Sequence, residues 1–381
     1  MARAWTRESM AKDQDSQHLT DSVTHPYHDW KARYPGLRAF GYLCTYAPLE
    51  VLHAAGFTPV RLMQLSRPVA LANAHLPSFA CAPARAVTER MLRWELDFLD
   101  GVLFAHTCDT MQCTADMWRM AGPGFKVIPF SLPTVLSNPA ARGYLVTDLR
   151  QLAVVLESEF GLPVTEDALR VSIAVYNEQR RLLSMLHEHR GGFPVEQLWS
   201  LTVAGMLMPV EEHCALLRSS LRSVEGRSEA KGTGPAVMLV GAVLDDPLIL
   251  RLIDELGGRV VGDDLCTGSR YFDALVDEAE EPFSALADRY LRRAPCPVKH
   301  NVGDARVQRL LGSVHTTGAR GVIFLVPKFC DPHAFDYVSL AKALDRAAVP
   351  HLLIDIEVTV PSGQLRTRLQ AFIEMLQDSA T

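Results

Sequence analysis

At 381 residues, with 48% apolar and 22% charged positions and a net charge of −6, the chain has the composition of a globular protein of two or three domains. No basic stripe marks a nucleic-acid surface, and no apolar run approaches the roughly 18 residues of a membrane span. Eight cysteines and a polar stretch from Met1 to Ser22 without a secretory h-region point to a reducing, cytoplasmic setting, where metal or redox work is expected before disulfides.

Residues 1–39 read as an arm with short helices, broken at His25-Pro26-Tyr27 and Tyr34-Pro35-Gly36. A first α/β domain is expected over 40–144. It opens with a strand running into Cys44, then a helix started by Pro48, carrying Glu50 in its first turn and closed by Gly56. Glu50 needs no more than helix-start chemistry. Cys81 precedes Ala82-Pro83 and a helix predicted to about Leu99, with Val87, Met91, Trp94 and Phe98 on a core face. Gly101-Val-Leu-Phe-Ala-His-Thr-Cys108-Asp109 then reads as strand, turn and helix start, and Cys113 falls on the core side of that helix.

Residues 145–233 change character: Thr165-Glu-Asp-Ala-Leu starts a long helix, and no strand pattern returns before Pro235. A second α/β domain is expected over 234–381. It contains a strand–helix–strand unit from Ala236, without the glycine spacing of a dinucleotide fingerprint. Asp263 and Asp264 sit at the next strand tip, and Cys296 lies in a loop pinned by Pro295 and Pro297. Gly321-Val-Ile-Phe-Leu-Val-Pro-Lys-Phe-Cys330-Asp331-Pro332 repeats the grammar of the Cys108 segment. The last strand follows at Leu352, and an amphipathic helix closes the chain. The expected fold is therefore α/β: two Rossmann- or flavodoxin-like parallel-sheet domains with an N-terminal arm and a helical insert.

Cys44, Cys108 and Cys330 each fall at a strand-to-helix junction, where open parallel sheets bind ligands and a helix dipole favours a thiolate. Zinc prefers four ligands with a short-range pair, and no Cys-x-x-Cys occurs. A nucleophilic thiol would leave the repeated architecture unexplained. An iron–sulfur cluster takes thiolates far apart in sequence, and on pattern it ranks above zinc.

Several motifs bear on the choice: Gly41-Tyr-Leu-Cys44-Thr-Tyr-Ala-Pro48-Leu-Glu50, His106-Thr-Cys108-Asp109-Thr110, Val261-Gly-Asp263-Asp264-Leu-Cys266-Thr-Gly-Ser-Arg270-Tyr271-Phe272, Lys328-Phe-Cys330-Asp331-Pro332 and Gly363-Gln364-Leu-Arg366-Thr-Arg368. With these the chain resembles the 2-hydroxyacyl-CoA dehydratase and benzoyl-CoA reductase family from about residue 25 onward. It departs at Ala47, at Leu49 and at Val358-Thr359-Val360.

The resemblance implies a [4Fe-4S] cluster on Cys44, Cys108 and Cys330, an acyl-CoA thioester substrate, a homologous second subunit and an ATP-dependent iron–sulfur activator protein. One-electron reduction of the thioester would acidify an otherwise inert β-proton, allowing water to leave a 2-hydroxyacyl-CoA. Alternatives on the same scaffold are a benzoyl-CoA reductase subunit, a double-cubane reductase that also uses Cys81, Cys266 and Cys296, and a non-catalytic electron-transfer partner. Arg61, Asp264 and Arg270 are candidate substrate contacts.

Overall fold

The apolar, β-branched runs form two parallel sheets of identical topology in the computed structural model, which describes residues 19, 22–63, 68–122, 124–225, 232–299, 303–357 and 362–378. The first sheet comprises β1 (Arg38–Tyr42), β2 (Phe57–Arg61), β3 (Leu99–His106) and β4 (Lys126–Ser131) in the order β2-β1-β3-β4. The second comprises β5 (Ala236–Gly241), β6 (Arg259–Asp264), β7 (Gly321–Pro327) and β8 (His351–Ile356) in the order β6-β5-β7-β8. In each, the chain steps outward by one strand and then returns to the other side of its starting strand. The direction of winding thus reverses between β1 and β3, and between β5 and β7. Such a switch point opens a crevice beyond the carboxyl ends of the strands. Cys108 follows β3 and Cys330 follows β7, so the repeated sequence grammar marks equivalent places in two equivalent sheets.

β7 is buried at every position, as a near-continuous apolar strand covered on both faces should be. Close backbone approach at the second crevice depends on Gly241, where a Cβ would fall 2.0 Å from the Leu325 carbonyl oxygen. Four helices, Ala141–Phe160, Glu166–Glu188, Val195–Ala204 and Val210–Val224, make the helical insert. The Thr165 hydroxyl accepts from the Ala168 N–H at 3.2 Å and caps the longest of them, as its sequence predicts. One large apolar cluster runs through the first sheet, the insert and the second sheet, and a smaller one lies under β5, β7 and the helices Ala305–Thr317 and Asp331–Arg346.

Four local expectations change. The Cys81 helix ends at Leu92, because Arg90 pairs with Glu95 at 2.7 Å across a tight turn. Trp94, expected on the core face, lies in that turn with φ +60° and is 62% exposed. Cys113 is also exposed, since its helix buries Thr114, Ala115 and Trp118 instead. Glu50 does more than favour a helix start: it is fully buried and ion-paired with Arg180 of the long helix. Residues Val358, Thr359 and Val360 lie outside the described residues. Among the described residues, no helix is long and apolar enough to cross a membrane.

Inside the insert, His213 is fully buried; its Nε2 donates to the Leu201 carbonyl at 2.7 Å and its Nδ1 accepts from Gln179 at 3.0 Å. Burial pushes its pKa down to about 4. The unfolded chain therefore takes up a proton below pH 6.5 that the folded chain refuses, and stability falls between pH 6.5 and 4 by roughly 3 kcal/mol from this group. Urea unfolding across that window should show the loss, and His213→Gln should remove this group's share of it.

Candidate active site

Three helices begin with a cysteine at the N-cap: Cys81 before Ala82–Leu92, Cys108 before Asp109–Ala121 and Cys330 before Asp331–Arg346. All three thiols line one cleft of about 670 Å³, to which both sheets contribute. Two of the three segments share a Cys-x-Pro start, Cys81-Ala82-Pro83 and Cys330-Asp331-Pro332, with proline where the missing N–H costs nothing. That repeat is a sequence signal that links Cys81 to Cys330. The three positive helix ends thus meet around three soft sulfur donors.

Burial pushes the Cys81 thiol up, the Cys108 thiol up to about 11 and the Cys330 thiol further still. Their mutual proximity adds to this: Cys81 raises both Cys108 and Cys330. None closes a capping hydrogen bond, yet the first-turn N–H groups of Ala84, of Met111 and Thr110, and of His333 pull the respective thiols back toward ionisation. The His333 Nδ1 lies 3.3 Å from the Cys330 sulfur. Burial, with the charges of Arg270 and Arg306, pushes that imidazole down to about 3, so it is neutral at physiological pH.

Cys44, Cys266 and Cys296 form a second neighbourhood that does not line the cleft. Cys296 is buried and lies close enough to Cys266 and Cys44 for their charges to reach it. Cys44 precedes its helix, Leu49–Ala54, by a loop and does not cap it; Pro48 does. It lies within electrostatic reach of Cys108, and Lys299 stands between the two neighbourhoods. Lys299 lines the cleft while its ammonium sits 5.4 Å over the Tyr46 ring and feels both Cys44 and Cys296.

Beneath the cleft lies a buried ionic chain. Asp264 takes both nitrogens of the Arg270 fork, at 2.7 and 2.8 Å, and Arg306 at 2.7 Å; Arg306 also pairs with Asp336 of the Cys330 helix at 2.7 Å. Burial alone would raise the Asp264 carboxyl, but the two guanidiniums outweigh it and hold it well below the usual carboxylate range. Arg270 further donates to the Gly241 carbonyl at 3.0 Å and lies 3.6 Å from the Cys266 sulfur. Arg61 is buried too, donating to the Cys266 carbonyl at 2.9 Å. The three candidate substrate contacts are thus committed to protein partners under the cleft, and none lines it. Arg306 and Lys299, not singled out in the sequence, do line it.

Among the described residues, no three His, Cys, Asp or Glu side chains converge on a single-ion position. An iron–sulfur cluster has no such requirement, since each thiolate binds a different iron. Three thiols around one cleft are a donor set of the right softness for it.

The family model described as 2-hydroxyglutaryl-CoA dehydratase, D-component, matches residues 44–376. The chain is 29% identical over 355 residues to the beta subunit of lactoyl-CoA dehydratase from Anaerotignum propionicum, covering 91% of this chain and 94% of that protein. It is 27% identical over 347 residues to the (R)-phenyllactyl-CoA dehydratase beta subunit of Clostridium sporogenes, covering 90% and 92%. To one of the subunits of benzoyl-CoA reductase from Thauera aromatica it is 30% identical over 347 residues, covering 88% and 89%.

The ionic chain makes a direct prediction. Asp264→Ala strands Arg270 and Arg306 as buried charges, and denaturant unfolding should show a loss of about 3–5 kcal/mol. A loss below about 1 kcal/mol would mean that water reaches both guanidiniums.

Proposed function

The chain belongs to the 2-hydroxyglutaryl-CoA dehydratase D-component family, and from that premise we propose that it is the iron–sulfur subunit of a 2-hydroxyacyl-CoA dehydratase-type enzyme. The observation that carries this reading is the cleft itself, where two sheets of the same topology deliver the N-cap thiols of Cys108 and Cys330 and a third helix start delivers that of Cys81. These three would hold a [4Fe-4S] cluster. Cys108 and Cys330 are two of the three ligands expected from the sequence; Cys44, the third, lies within electrostatic reach of Cys108, while Cys81 lines the cleft beside both. A bound cluster supplies single electrons and an open iron that polarises a thioester or hydroxyl oxygen.

The chain's own residues do the rest. The three helix ends and Lys299 give the cleft a positive field that offsets the charge of three thiolates. Because burial keeps these thiols protonated, loading displaces protons from them and is favoured by rising pH. Thr107, Thr110 and Thr134 offer the cleft uncharged hydrogen-bonding groups, suited to a hydroxyl or carbonyl on an acyl thioester. The named relatives are subunits of multi-component enzymes, which supports a partner subunit here. An ATP-hydrolysing iron–sulfur activator would supply the electron.

A second reading, a subunit of a benzoyl-CoA reductase, is favoured by the 30% identity to the Thauera aromatica protein. Offering the assembled enzyme a 2-hydroxyacyl-CoA and benzoyl-CoA separates the two.

Iron and acid-labile sulfide analysis of anaerobically purified protein tests the cluster. About four irons per chain are expected. Serine at Cys81, Cys108 or Cys330 should remove most of them, whereas Cys44→Ser should keep them. Retention in Cys81→Ser with loss in Cys44→Ser would instead make Cys44 the third ligand beside Cys108 and Cys330.

A further inference from the structure

Phe329 has no folding reason to occupy its position. The Cys330 N–H donates to the Pro327 carbonyl at 2.9 Å and closes a turn whose third residue is Phe329, at φ +63°. Glycine suits a turn residue of positive φ, and a bulky side chain is disfavoured there. Burial does not compensate, since Phe329 is 45% exposed. Its ring meets the ammonium of its own neighbour, Lys328, at 5.5 Å.

The ring does stand at the cleft. Phe329 lines it together with Phe335, which is 78% exposed one turn into the Cys330 helix, and with Pro297, Val298 and Val307. It also lines an adjoining cavity of about 310 Å³ that holds Arg85 and Lys328, so it sits where the two spaces meet. Strained backbone and exposed aromatic rings on the rim of a concave site mark a place shaped for a ligand.

We propose that Phe329, with Phe335, determines acyl specificity. The two rings form an apolar jaw beside Cys330 that receives an apolar or aryl side chain on the acyl group. The substrate class is then 2-hydroxyacyl-CoA thioesters with a bulky apolar or aromatic side chain, in preference to those with a methyl group. This rests on the preceding reading that the cleft seats an acyl thioester. Apolar side chains differing by several carbons are separable by such a contact, and an aryl group gains further from edge or face packing on the rings.

Binding of phenyllactyl-CoA and lactoyl-CoA to the full-length, anaerobically purified chain, with iron content measured in the same samples, tests the assignment. Wild type should bind phenyllactyl-CoA at least about tenfold more tightly. Phe329→Gly should bring the ratio close to one at unchanged iron content, with an equal or higher urea midpoint because the turn is relieved. Phe335→Ala, on the regular helix, should reduce the ratio without changing that midpoint upward. An unchanged preference in both iron-loaded variants, or equal binding of the two thioesters by wild type, would overturn the assignment. Failure of iron-loaded wild type to bind either thioester would overturn the substrate-seating reading as well, and is distinguishable from both.

Discussion

The structure depends on burying one carboxylate between two arginines. Asp264 ends β6, and its partners Arg270 and Arg306 come from two helices that follow in the second domain. Arg306 holds Asp336 of the Cys330 helix, and the Arg270 carbonyl accepts from Arg293, which also donates to the Thr45 carbonyl next to Cys44. A single chain of charge and hydrogen bonds thus runs from the Cys330 helix, under the cleft, into the first domain. Desolvating these groups is expensive and is offset only while every partner is in place. That requirement fixes the relative placement of the helices more sharply than apolar packing, which tolerates sliding.

On this base, two copies of one topological device produce the cleft. Each sheet reverses its winding beside its first strand, each crevice carries a cysteine at a helix N-terminus, and the two crevices share a cleft. A third helix, starting at Cys81, brings its sulfur to the same space from a segment with no strand before it. On the proposed reading, an iron–sulfur cluster would gain from this arrangement, because soft donors, positive helix ends and a low-dielectric surround are supplied together. Folding alone gains little from gathering three thiols around one cleft.

Much of the fold was legible because its signals are local. Glycine-led apolar runs marked β3 and β7, Thr165 marked the long helix, and Cys-Asp after each strand marked two of the three cleft thiols. Cys44 stood out by the same strand-tip rule, yet it lies in a loop four residues ahead of Pro48, which opens its helix. Cys81 lacked a preceding strand and entered only as a further ligand of a double-cubane alternative; the Cys-x-Pro start it shares with Cys330 is the local signal of a shared place. The neighbouring Asp263 and Asp264 point to opposite faces of β6. The first accepts from the Ser269 N–H at 2.7 Å in the turn, while the second is the buried ion-pair centre. Its partner Arg306 is 42 positions away, and no local pattern announces a contact of that range. Glu50 and Arg180, paired across 130 positions, were hidden for the same reason.

The most direct measurement is anomalous diffraction at the iron absorption edge from crystals of anaerobically prepared protein. The expected result is one compact iron peak in the cleft, bounded by the sulfurs of Cys81, Cys108 and Cys330. A peak among Cys44, Cys266 and Cys296 instead, or no iron in fresh anaerobic crystals, would contradict the account of the cleft as the cluster site.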